Sequence, residues 1–181
     1  MKAREFDPVR LDVRAFAKAA GGLGGDWPLA GFERLRGVLA ATGDGPPAGS
    51  VRWSARGEEV PVRGGAAQVW LHLTADAGLP LVCQRCLKPV TEPLALDRPF
   101  QFVADEAAAA ELDAEAEHDV LVLARELNLH QLLEDELLLA LPLVPRHASC
   151  PEPLAPSVGD EEAPGAEHPF AALAALRRGR G

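Results

Sequence analysis

The 181-residue sequence has no tyrosine, one methionine and three cysteines, and aromatic residues make up only 5% of it. So few rings leave no aromatic-rich basic patch of the RNA-recognition type. Three thiols cannot form a disulfide framework, and the odd number fits a reducing compartment, where Cys-x-x-Cys signifies metal or redox chemistry. No run approaches the ~18 apolar residues of a membrane span. The start, Met1-Lys2-Ala3-Arg4-Glu5-Phe6-Asp7, lacks the apolar stretch of a secretory signal. No P-loop, dinucleotide fingerprint, nucleophile elbow or zinc-protease helix occurs. These absences predict a cytoplasmic protein without membrane contact.

What is there begins with charge. Twenty-seven acids outnumber eighteen bases, for a net charge of −9. Seven acids fall in residues 105–119 and five in 151–168, and neither stretch holds Lys or Arg. Without those twelve the balance is mildly basic. The first stretch is padded by Ala107–Ala110 and the second carries Pro151, Pro153, Pro156 and Pro164. Acid and proline with few large apolar groups predict poor packing in both. Such a distribution suits a position near RNA or beside a basic protein, and charge alone does not decide.

The apolar pattern predicts an α+β fold. Asp12 caps a short N-terminal helix, Val13 to Ala20, which Gly21–Gly25 stops. Trp27 to Leu35 holds a further helical turn, with Pro28 at its start. Short strands follow at Val51–Arg56, Val60–Val62, Gln68–Thr74, Leu79–Cys83, Val90–Leu96 and Phe100–Val103, and Val120–Leu123 is a candidate for one more. Turn residues separate them, with no helical pattern between, so the expectation is an antiparallel sheet of short strands. Pro80 marks an edge, a bulge or a strand start. Asn128, with Gln131 three residues on, opens one long helix in the C-terminal half through Leu129, Leu133, Leu137 and Leu141, which Pro142 ends. The domain reading is one α+β domain over 1–150, a flexible acidic linker over 151–168, and a short terminal helix over 169–181 with Phe170 and Leu173 apolar.

Two constellations could carry chemistry. Cys83-Gln84-Arg85-Cys86 offers two thiolates, and His147 and Cys150 form a second pair just after the long helix. Together they make Cys₃His, a set known for structural zinc. This places Cys83 and Cys86 in a turn close to His147 and Cys150, with zinc as the implied cofactor. The alternative is three thiols packed as small apolar groups. Strand-like residues before Cys83 and Lys88-Pro89 after Cys86 leave no helix N-terminus to activate a redox thiol.

The second constellation is Glu134-Asp135-Glu136. The apolar stripe of the helix includes Glu136, while Glu134 and Asp135 fall to its flanks. A carboxylate in such a stripe needs a partner, and Arg85 is the expected one. On this placement Glu136 matters to stability far more than Glu134. The competing reading is a catalytic carboxylate in an RNA-processing or modifying enzyme.

Three stretches go further. Leu81 to Pro89 (LVCQRCLKP) resembles the central motif of the YceD family, the bacterial large ribosomal RNA subunit accumulation proteins. Leu133 to His147 resembles its second motif, with Cys150 shortly after. His168-Pro169-Phe170-Ala171-Ala172-Leu173 is similar to its terminal Asn-Pro-Phe-Ala-x-Leu segment, with His168 in place of Asn. The resemblance implies a cytoplasmic protein that supports synthesis, processing or stability of large-subunit (23S) ribosomal RNA, and it supplies no catalytic residues. The combined expectation is a non-enzymatic ribosome-biogenesis factor. Its partner would be a ribosomal RNA precursor or a large-subunit assembly protein, with Pro169, Phe170 and Leu173 free to dock. A zinc-knuckle RNA-binding module is the other reading, and the oligomeric state is open.

Overall fold

The computed structural model describes residues 5–41 and 45–152 and divides the chain into two units, 1–148 and 149–181. The expected linker beyond residue 152, the terminal helix, and the docking residues Pro169, Phe170 and Leu173 lie outside the described residues.

The first unit is α+β. Its elements run α1 (Val13–Lys18), β1 (Gly22–Pro28), a 3₁₀ turn (Leu29–Gly31), α2 (Glu33–Arg36), β2 (Ser50–Val60), β3 (Gln68–Val82), β4 (Pro89–Val103), α3 (Glu106–Asp113), β5 (Asp119–Val122) and α4 (Leu129–Leu139). The strands form one sheet in the order β1-β2-β3-β4-β5. The first three pairings are antiparallel, whereas β4 and β5 run parallel, from Phe100↔Asp119 to Val103↔Val122. The sheet is therefore mixed, which corrects the antiparallel expectation. The cause is α3. Asp105 accepts a hydrogen bond from the Ala108 amide and caps a helix in the acidic stretch expected to be unpacked. That helix supplies the crossover a parallel pair needs. It has no buried residue, so sequence patterning gave it no apolar stripe.

The strand fragments fuse into a long hairpin. β3 and β4 are 15 residues each and pair from Val69↔Phe102 to Val82↔Pro89. Pro80 sits inside β3, yet β2 pairs with β3 only as far as Asp76. Beyond that point β3 is a local edge, where a proline removes no ladder bond. The Pro80 carbonyl on that side accepts from the Ala40 amide at 2.8 Å.

Alternation buries one face of the sheet: Val51, Trp53 and Ala55 of β2, Val69, Leu71, Leu73 and Ala75 of β3, and Leu94, Leu96, Phe100 and Phe102 of β4. Phe16 of α1, Leu35 of α2, and Leu129, Leu133 and Leu137 of α4 join the same core. Asn128 accepts from the His130 and Gln131 amides and starts α4, which is 11 residues long rather than reaching Leu141. Leu11 and Leu127 exchange backbone hydrogen bonds of 2.8 Å, which ties the N-terminal segment to the entry of α4. No described helix is long and apolar enough to cross a membrane.

The contact of α1 with β2 depends on Gly57. A Cβ there would lie 2.7 Å from Phe16 Cδ1 and 2.8 Å from the Ala17 backbone nitrogen. Backbone cannot swing away as a side-chain tip can. Gly57→Ala is expected to cost about 1–3 kcal/mol through overpacking. A lowered urea midpoint with an unchanged m-value is the check, and an unchanged midpoint would show that α1 yields freely.

Candidate metal centre

The connection between β3 and β4 is Cys83–Lys88. The Cys83 amide donates to the Lys88 carbonyl and the Leu87 amide to the Cys83 carbonyl, both at 2.9 Å, which closes a tight knuckle. Leu87 adopts φ 59°, in the left-handed region. This turn docks on the segment after α4. The Gln84 amide donates to the carbonyl of buried Pro145 at 2.9 Å, and Arg85 Nη2 donates to the His147 carbonyl at 3.1 Å. Two chain segments about sixty residues apart are thereby stitched together by backbone.

Within the first unit, the stitch brings Cys83, Cys86 and His147 together. Their ligand atoms lie within 4.8 Å of one another, and Cys86 Sγ is 3.4 Å from His147 Nδ1. Cys83 is fully buried, the other two half-buried. Burial pushes the Cys83 thiol up. The amides of His147, Cys86 and Arg85 and the His147 side chain outweigh that and hold it at about 5. Amides converging on one sulfur stabilise the thiolate, the form a metal requires. Two sulfurs and an imidazole nitrogen at these distances could hold a metal ion, and both donor types are ones that structural zinc takes. Cys150 belongs to the second unit, with two residues between it and His147.

The carboxylates take other partners than the sequence predicts. Glu136 is buried, but its partner is Arg98, whose Nε donates to Oε2 at 2.8 Å; Arg98 Nη2 also donates to Asp119 at 3.0 Å. Pairing of Glu136 with Arg85 is thus corrected, since Arg85 is held at the knuckle. A signal for Arg98 existed: it shares the strand phase of Leu94, Leu96 and Phe100, and so points to the core face.

Glu134 is a second correction, being buried rather than flanking. Its Oε1 accepts the Arg34 and Leu35 amides at 2.7 and 3.1 Å, and its Oε2 accepts the Arg34 guanidinium at 3.2 Å. Phe32, the N-cap of α2, has no side-chain acceptor to offer. Glu134 caps that helix from across the core. Burial pushes its carboxyl up, but the Leu35 and Arg34 amides and the Arg34 side chain hold it below the usual carboxylate range. Asp135 pairs with Arg34 at the surface. A polar concavity of about 590 Å³, lined in part by Asn128, His130 and Glu134, opens beside this pair and does not include the cysteines.

No solved structure matches the chain. A family model, described as large ribosomal RNA subunit accumulation protein YceD, matches residues 71–177. That span is more than half of the sequence and takes in the knuckle, α4 and the His147 segment. The chain belongs to the YceD family of large ribosomal RNA subunit accumulation proteins.

Proposed function

We propose that the protein is a non-enzymatic cytoplasmic factor in large-subunit (23S) ribosomal RNA accumulation, and that Cys83, Cys86, His147 and Cys150 hold a structural zinc. The observation that carries this reading is the family match, which spans both halves of the knuckle. Cys150 is the natural fourth ligand, because His-x-x-Cys spacing lets one turn of chain present both donors. The metal would cross-brace the hairpin tip to the segment after α4, fixing a recognition surface for a ribosomal RNA precursor or a large-subunit assembly protein. Pro169, Phe170 and Leu173, in the third shared motif, would add a docking point. Support for a non-catalytic role comes from the carboxylates: Glu134 and Asp135 are engaged by Arg34, and Glu136 by Arg98.

Depleting the protein from its cell should lower the ratio of large- to small-subunit ribosomal RNA. Wild-type chain should restore it, and Cys83→Ser/Cys86→Ser should not. An unchanged ratio on depletion overturns the functional reading. Full rescue by the double variant separates the function from the metal.

A further inference from the structure

Past Asp76 on β3 and before Phe100 on β4, the hairpin runs on with no border strand on either side. The Pro80 carbonyl bonds to the Ala40 amide on the open side of β3, so its cross-strand partner Thr91 also turns its backbone groups away from the hairpin. Val103 shares that phase, and its carbonyl accepts from the Leu123 amide on the β5 side. Pro89, Pro93 and Pro99 share it too, so these outward positions on β4 offer no amide. The arm is a poor template for an added strand and has to be met on a face. Its inner face is spent, with Leu79 and Leu81 buried in the core.

The outer face is open. There the cross-strand pairs Gly78↔Pro93, Pro80↔Thr91 and Val82↔Pro89 follow one another along the arm. Partners in a pair lie about 5 Å apart, so the six uncharged residues form one continuous patch. The Thr91 methyl links two of the pairs, since a Cβ on Gly78 would sit 3.3 Å from Thr91 Cγ2. Five of the six are exposed and Pro80 is half-buried. Asp76 and Asp97 share this face at the end nearer the sheet body; both are exposed and neither is in an ion pair. Arg52, across from Asp76, points to Asp26 at 3.8 Å, and Arg85 and Lys88 at the knuckle have interactions of their own.

We propose that the outer face of this arm docks a basic protein segment. Its apolar side chains would cover the three pairs, and its Lys or Arg groups would meet Asp76 and Asp97. Charge complementarity selects this occupant: the face offers two unpaired carboxylates, on a chain of net charge −9. RNA phosphates would meet those carboxylates, with the Thr91 hydroxyl as the patch's one side-chain donor. A second copy would bring the same acids and the same net charge. The proposal rests on the reading of the protein as a binding factor and names the class of its partner.

The test titrates the isotope-labelled full chain with three probes. One is a synthetic peptide of alternating Leu and Lys, the second replaces each Lys by Glu, and the third is a uridine oligonucleotide. The Lys peptide should shift the Gly78, Val82, Thr91 and Ala95 amide resonances. It should bind at least about tenfold more tightly than its Glu counterpart. Thr91→Arg, which sets a base on the patch, should weaken it about tenfold, and Asp76→Asn/Asp97→Asn about fivefold. Glu111→Gln/Asp113→Asn on α3 removes the same charge and should change affinity less than about twofold. Circular dichroism and thermal midpoint should match the wild type throughout. An equal loss in the α3 variant reduces the binding to net charge and overturns the proposal. So do equal affinity for the two peptides, shifts confined to other residues, or oligonucleotide binding at the same amides. Concentration-dependent shifts there without peptide would make a second copy the occupant. Tighter peptide binding after Arg177→Glu/Arg178→Glu would make it the chain's own terminus, and either result overturns the proposal. These readouts are independent of ribosomal RNA levels in the cell, so failure here and failure of the functional reading are distinguishable.

Discussion

Glu134→Ala should lower the unfolding free energy by about 3 kcal/mol, because it strands two backbone donors at the start of α2, each costing roughly 1–3 kcal/mol when unsatisfied. The Leu35 amide is buried, so water does not replace the lost oxygen there. The Arg34 side chain is about half exposed and rehydrates, so its share of the loss is small. Glu134→Gln keeps an acceptor and should cost less than half as much. Asp135→Ala should cost under about 1 kcal/mol, as for an exposed pair. Glu136→Ala should fall between, at about 2 kcal/mol, below the figure for a fully buried pair because Arg98 is partly exposed. Urea unfolding of the four variants gives this order directly. Equal losses at Glu134 and Asp135 would refute the capping role.

Acid sharpens the same prediction. Glu134 titrates lower in the folded chain than in the unfolded one. Its contribution is therefore fully present above the unfolded value, about 4.3, and is lost as pH falls through the lower folded value. The wild type should lose stability over that window more steeply than Glu134→Gln.

Cys83→Ser should abolish stable metal binding. Loss of an outer-shell partner already weakens metal sites about 10–100-fold, and a direct ligand exceeds that. Serine also puts a weakly acidic hydroxyl where three amides converge on a thiolate. Purified wild type should carry about one zinc per chain by elemental analysis, and the variant none. Chelation should lower the thermal midpoint of the wild type while the sheet's circular dichroism persists, since the core of the first unit does not run through the knuckle. Wild type free of metal and indifferent to chelator would leave three packed thiols.

Local signals were legible in the sequence where a single segment carries them. Asp12 and Asn128 are caps that each act within three residues, and strict alternation marks β3. The prolines made β3 and β4 read as fragments, because a missing amide matters only where a neighbouring strand needs it. Pro80 lies where β2 has already stopped. α3 was hidden because an exposed helix needs no apolar stripe. Glu134 was misplaced because the flank of α4 it occupies is covered by α2, about a hundred residues earlier, and a helical wheel cannot see that neighbour. The nearness of Cys83 and Cys86 to His147 was legible because Cys-x-x-Cys and His-x-x-Cys each show ligand spacing within a single segment. The partner of Glu136 did not, although the strand phase of Arg98 held the answer.

The margins of the sheet have a consequence for assembly. β5 has four residues, and the opposite outer strand, β1, reads Gly-Leu-Gly-Gly-Asp-Trp-Pro. A short strand on one side, and glycine, a charge and a terminal proline on the other, are poor templates for a further strand. Edge-to-edge pairing of two molecules is thus discouraged at β1 and β5 themselves. The open stretches of the β3–β4 hairpin, beyond Asp76 on β3 and before Phe100 on β4, are the parts of the ladder that neither border strand covers.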